Sequence, residues 1–438
     1  MVSVLRLTLV CALAATVLPA RAGEVPAFDV LSYDVTLKPD FSAGAVSGEE
    51  VVRFKSLVDG LDVVSFSGNS LSVRASIDGE QMVANEIVGE RRLFHLPRAM
   101  RKGQVAKLVV SFHGKAPKGL VFGKDQVYAT YFTCDYMICD QDRPGDKARV
   151  DFRLVVREGM TTVAPGALLQ RKSSVAGTDI VVWREKREMS AYLFGFAAGW
   201  FQTILLSRGL PELSVLTTAT TKDRAAAMFA DTGRMLAFFE GKSGVKLPGI
   251  SYAQVLVEGS VAQEAAGHSV IGMEEISPIL EDPHEDWVIA HELAHQWWGN
   301  SLTCADWSEL WLNEGLTVFM VAAYKEMRWG RADYDREVAL ANKRWEAAKG
   351  QGFDVPLSWQ GGYPSLKLKR AMAYAKSVVF LDLLRRELGE AAFWRAIKDY
   401  TRANWGGTVR ARDLQRAMER SSRRDLSALF AVWVFGPA

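Results

Sequence analysis

The sequence predicts an α+β, multidomain fold, with an all-β first half and a mainly helical second half. Two observations predict it. Residues from about 27 to 200 alternate apolar and polar at period two, as half-buried strands do. After about residue 210 the apolar spacing lengthens to that of helices. A chain of 438 residues, 49% hydrophobic and 24% charged, has an ordinary globular composition and room for two domains. The expected division is 1–22 as a leader, 23–205 as the β domain and 206–438 as the second domain.

The leader begins with Arg6, runs through an apolar stretch from Leu7 to Leu18, and ends on Ala20-Arg21-Ala22, an A-x-A pattern. Cleavage is expected after Ala22, which predicts a periplasmic or secreted protein. The plain alternative, a membrane anchor, needs a longer apolar run. Cys11 follows Val10, which is not the small residue a lipoprotein site prefers. Without the leader the chain loses two of its 53 basic residues and balances its 51 acidic ones. No charge excess is left to bind nucleic acid, and no stable membrane insertion is expected.

In the first half, Tyr33, Val35 and Leu37 alternate with Asp34, Thr36 and Lys38. Leu108–Phe112 and Ile180–Trp183 read as more deeply buried strands, and Lys38-Pro39-Asp40, Asp78-Gly79 and Gly114–Pro117 as turns. Ala191–Leu206, apolar but interrupted, reads as the crossing between domains. Arg224–Glu240 reads as one helix and Tyr252–Val257 as a strand. Helices follow, the last running from Thr408 through Leu414, Met418, Leu426 and Trp433. In an exported chain Cys134 can pair with Cys139, leaving Cys304 free.

The chemistry concentrates in HELAHQWWGN, His291 to Asn300. His291 and His295 share a helix face, one turn apart, so both imidazoles can hold one Zn²⁺. Glu292 is offset by one position and can reach a water at that metal. HExxH arises by chance in about one such chain in a hundred, so a helix whose histidines only pack must be weighed against it. WLNEG, Trp311 to Gly315, decides the matter, because it supplies Glu314 a short distance downstream of His295. Two histidines and a glutamate leave a fourth position open for water or substrate, as in catalytic rather than structural zinc sites. Glu292 then serves as the general base and acid.

With that spacing, HELAHQWWGN and WLNEG resemble the aminopeptidase N and leukotriene hydrolase family of zinc metallopeptidases. SYDVTLKPDFSAGAVSG resembles the family's first β-hairpin, REMSAYLFGFAAGWF its closing segment of the β domain, and SRRDLSALFAVWVFGPA the end of its catalytic domain. The resemblance covers nearly all of the chain after the leader. It implies a β saddle or sandwich followed by a thermolysin-like, mainly helical domain. It also implies a short form, expected to lack the large helical C-terminal domain of many relatives. Tyr374, in Ala373–Ser377, falls where the family has its Tyr-x-Lys-Gly motif, which implies that it donates to the developing oxyanion.

An aminopeptidase must also hold the free α-ammonium of a peptide, for which the family uses the Glu of a Gly-x-Met-Glu-Asn segment. Two acids compete here. Glu274, in Ile271–Glu275, matches by letters but lies too close to His291 to leave much chain for the strand that normally follows. Glu264, in Gln263–Gly267, lies farther upstream and leaves room for a strand over His268–Ile271, which favours it. Tyr131 and Thr133 stand where relatives carry Thr-Gln-x-Glu, so the pocket for the first residue is remodelled. The resemblance thus implies a zinc aminopeptidase acting on peptides. A zinc hydrolase of the same fold without amine selectivity, an endopeptidase or epoxide hydrolase, is the second reading. A non-catalytic scaffold is the third, and the intact ligand set argues against it.

Overall fold

The computed structural model describes residues 26–174 and 177–436. The leader expected over 1–22 lies outside them. Phe28–Asp40 and Ala45–Ser56 form the first hairpin, with Val35 opposite Glu50. Tyr33, Val35 and Leu37 are buried, as their alternation requires. These two strands sit inside a ten-stranded sheet. On one side Lys147–Arg157 runs parallel to Phe28–Asp40, and Thr178–Ser190 pairs antiparallel beyond it. A four-stranded sheet contains Leu120–Phe122, Gln126–Ala129, Ala197–Gly199 and Thr161–Val163. One apolar core, including Phe54, Phe66, Phe94, Tyr136 and Tyr192, fills this half.

The chain enters a different sheet at Gln202–Ser207, so the division read from pairing falls between Gly199 and Gln202. That sheet continues with Glu212–Thr217, Ser251–Val257 and His268–Gly272, the last three mutually parallel. The short strand Ala262–Gln263 pairs antiparallel at its edge. Helices cover the rest, packed around Trp297, Trp298 and Trp311, all without solvent exposure.

Two expectations need correction. Arg224–Glu240 is not one helix but parts of two, Lys222–Met228 and Thr232–Ser243. Asp231 at the break accepts from Arg328 Nε at 2.6 Å, a long-range bond that helix propensity does not anticipate. The helix expected from Thr408 starts at Ala411. Thr408–Val409 is instead a short strand paired with Thr303–Cys304, and Arg423, at φ +58°, ends the helix at Ser422.

The two halves are joined near the histidine motif. Lys147, from the large sheet, donates to the carbonyls of Ser301 and Gly407 at 2.8 Å, with Gly406 at 3.3 Å and Asn300 at 3.5 Å. Tyr192 donates its hydroxyl to Gly299 O at 3.0 Å and receives Asn313 Nδ2 at 3.2 Å.

Candidate active site

The helix Trp287–Ala294 carries His291 and Glu292, with His295 at its C-cap. The helix Trp311–Trp329 carries Glu314 in its first turn. The two helices pack together and bring three ligand atoms to one point. His291 Nε2 and His295 Nε2 are 3.0 Å apart, and Glu314 Oε2 is 3.6 and 3.4 Å from them. Tetrahedral ligands about 2.0 Å from a zinc ion stand about 3.3 Å from one another, so this triangle fits zinc. All three residues are buried, and they form the only such cluster among the described residues.

The surroundings ask for a cation. Burial lowers His291 to about 4, helped by the His295 charge. Burial would lower His295 too, but the Glu314 carboxylate outweighs it and pushes His295 up to about 10. Burial would raise Glu314, yet the two imidazoles hold its carboxyl well below the usual range. Three carboxylates, Glu264, Glu292 and Glu314, thus crowd two imidazoles in a dry site, and a dication balances that charge.

The two histidines are oriented by their neighbours. His295 Nδ1 donates to Trp298 O at 3.0 Å, and Thr317 Oγ1 donates to the same carbonyl at 2.9 Å. This leaves Nε2 of His295 free for metal. Gly299 lets the chain turn back there: its φ is +122°, and a Cβ would lie 2.7 Å from His295 Nδ1. Among the described residues His291 has no hydrogen-bond partner at Nδ1. Its ring instead stacks on Trp287, with centroids 4.5 Å apart and planes at 15°.

Glu292 is buried, and among the described residues its Oε2 has no hydrogen-bond partner. Burial, then the Glu264 charge, pushes its pKa well up, as suits a group able both to take and to return a proton. Tyr374 lies in the π turn Ala371–Lys376, its ring 6.4 Å from that of His291. Burial, then the Glu314 charge, raises its pKa far up, so it stays a neutral donor.

Of the two competing acids, only Glu264 is brought to the cluster. It is buried at the end of the edge strand, raised to about 6 by burial, and its charge acts on His295, Glu292, Tyr131 and Tyr374. Glu274 is corrected: it is exposed on the short helix Met273–Ile276. Tyr131 is half-buried and packs its ring on Tyr192 at 5.4 Å. Thr133 is corrected as a lining residue. It is fully buried and donates to Tyr192 O at 3.3 Å, so it supports the wall from behind.

Sequence reasoning missed two residues inside the quoted motif. Gln296 accepts from Gly267 N and donates to Ala265 O, both at 3.0 Å. Asn300 donates to Glu264 O at 3.0 Å. Together they clamp the Glu264 segment to the histidine helix. The signal was present as two amides in an otherwise apolar stretch, but their partners lie on a separate segment well upstream.

Comparison with known proteins follows the same lines. Residues 268–433 match the Peptidase family M1 domain. "Probable aminopeptidase 1" of Saccharolobus solfataricus is 23% identical over 93% of this chain and 53% of its own length. "Aminopeptidase N" of Lactococcus lactis is 28% identical over 72% of this chain and 39% of its own. The chain spans about half the length of the curated relatives it matches. Among solved structures, an M1 zinc metallopeptidase from Deinococcus radiodurans superposes with a TM-score of 0.76 at 21% identity, covering 94% of both chains. Native yeast LTA4 hydrolase superposes at 0.79 and 19% identity, over 96% of this chain and 71% of that one.

Proposed function

We propose that this chain, whose residues 268–433 match the Peptidase family M1 domain, is a zinc aminopeptidase that removes residues from the free N-terminus of peptides. The carrying observation is the convergence of His291, His295 and Glu314 beside Glu292, with Glu264 just after the adjoining edge strand. His291, His295 and Glu314 would hold the zinc ion. When bound, zinc polarises the scissile carbonyl and acidifies water.

The chain's own residues do the rest. Glu292 takes the proton of the attacking water and later delivers it to the departing amine. Tyr374 donates to the oxygen on which negative charge develops, an interaction strongest in the transition state. Glu264 binds the substrate ammonium by charge-assisted hydrogen bonds, held in place by Gln296 and Asn300. Placing a buried carboxylate there supports a free-amine substrate over a blocked one.

The test is an aminoacyl-arylamide panel with free and N-acetylated substrates, run with and without a chelator. Free substrates should be cleaved, blocked ones spared, and chelation should abolish turnover until zinc is restored. Equal turnover of free and blocked substrates would exclude the exopeptidase reading. We also propose that the protein works outside the cytoplasm. The leader pattern and the Cys134–Cys139 disulfide support this. N-terminal sequencing of the mature protein should begin at Gly23, and an intact leader on the native protein would count against export.

A further inference from the structure

Tyr374 stands on a turn whose register local propensity does not fix. Ala371–Lys376 is a π turn between the short helix Leu366–Arg370 and the helix Ser377–Leu388. Such turns hold one residue more than an α turn, are rare, and occur mostly at functional sites. A slip of one residue toward an α register would rotate the Tyr374 side chain by about 100° around the helix axis. Its ring would then leave the place where it faces the His291 ring, with centroids 6.4 Å apart and planes at 21°. The register has to be held by groups outside the backbone of the turn.

Two side chains close to Tyr374 in sequence hold it. Ser377 Oγ, at the first position of the following helix, donates to Ala373 O at 2.9 Å and to Met372 O at 3.4 Å. Lys376 reaches outward instead. Its ammonium donates to Asp354 Oδ1 and to Val355 O, both at 2.7 Å, on the loop that follows the helix Arg331–Lys349. The Lys376 side chain is only 7% exposed, so these bonds are shielded from water, whereas that of Asp354 is 35% exposed. The same Asp354 oxygen accepts from Trp345 Nε1 at 3.0 Å, which fixes the anchor in turn. The rings of Trp345 and Trp433 lie 5.7 and 6.0 Å from the ammonium and pack on each other at 5.1 Å. Breaking this pair would strand a buried charge, so the tether stays closed. The steps assigned to Glu292, Tyr374 and Glu264 use neither Lys376 nor Asp354.

We propose that Lys376 is a positioning residue for Tyr374: it fastens the π turn to Asp354 and Val355 and so keeps the register that turns the phenol toward the metal cluster. The inference rests on the aminopeptidase reading, in which Tyr374 donates to the developing oxyanion. A donor used only in the transition state makes a specific prediction: loosening its mount lowers kcat and leaves KM alone.

The test measures arylamide turnover and zinc content in Lys376→Met and in Asp354→Ala. The second variant releases the tether at its more exposed end, and carries the test if the first does not fold. Each should lower kcat about 10- to 100-fold, with KM within about 2-fold and zinc unchanged. Lys349→Met removes an exposed lysine close to the same loop, one paired only with Glu346, and should leave kcat unaltered. In a Tyr374→Phe background Lys376→Met should cost less than about 2-fold more, because the group it positions is gone. An equal loss in both backgrounds overturns the proposal, as does a loss that appears in KM or zinc content. So does a Lys349→Met variant as slow as Lys376→Met. A second readout needs no turnover: the ¹⁹F resonance of 3-fluorotyrosine in place of Tyr374 should shift or broaden in Lys376→Met, and an unchanged resonance overturns the proposal. A resonance that moves in a protein that cleaves no arylamide would sink the aminopeptidase reading and leave the positioning by Lys376 standing.

Discussion

The residue with the sharpest test is Glu292. It is not one of the three ligands, yet its carboxylate is buried beside them. Glu292→Gln should keep zinc, measured by metal analysis, and lose roughly 10³-fold in kcat. Loss of zinc together with activity would instead make Glu292 part of the metal-binding framework. Glu264 and Glu274 allow a paired comparison. Glu264→Ala should lower kcat/KM for free-amine substrates about 10- to 100-fold, the size of one charge-assisted hydrogen bond. Glu274→Ala, at an exposed position, should change it by less than about 2-fold. At this scale HExxH and WLNEG were legible because helix geometry fixes where each ligand points. Glu264 was legible only as a spacing preference, since nothing in its own letters says which way an edge strand ends.

Among elements, the contact between Trp311–Trp329 and the π turn with its following helix Ser377–Leu388 sets where Glu314 and Tyr374 stand. Gly315 makes it close. A Cβ there would lie 2.2 Å from Ser377 Cβ and 3.1 Å from Ala373 O. Gly315→Ala should therefore push the two helices apart, costing about 1–3 kcal/mol of stability, and weaken zinc binding through the adjacent Glu314. Urea unfolding and a chelator competition read the two effects separately. Unchanged values for both would show that the contact yields freely. The glycine of WLNEG was visible in the sequence, but its reason was not, because Ser377 stands on a different helix far along the chain. The break at Asp231 has the same cause: a partner on a distant helix overrides local propensity.

For the whole molecule, the bonds between the β half and the helical half hold the histidine motif in place. Lys147 reaches across to four carbonyls that flank the histidine motif and the Thr408–Val409 strand. Lys147→Met should leave the two 2.8 Å acceptors, Ser301 O and Gly407 O, unpaired and lower stability by about 3 kcal/mol. Burial also lowers the Lys147 pKa to about 7 from its ordinary 10.5. Between those values the unfolded chain holds a proton that the folded chain has released. Wild-type stability should therefore rise with pH across that window relative to Lys147→Met. A pH-independent difference between the two proteins would show that the ammonium stays charged at the seam.

By itself the sequence pointed to the two-part architecture, to His291, His295 and Glu314 as one cluster with Glu292 beside it, and to Cys134 and Cys139 as able to pair. Each of these follows from periodicity or from spacing along one element or one short loop, which covalent geometry enforces. Tertiary structure alone decided that Glu264 rather than Glu274 stands by the His291–His295–Glu314 cluster and that Gln296 and Asn300 hold its segment there. These depend on which chain segments meet across the core. That is set by the packing of many side chains together, and no local stretch of letters carries it.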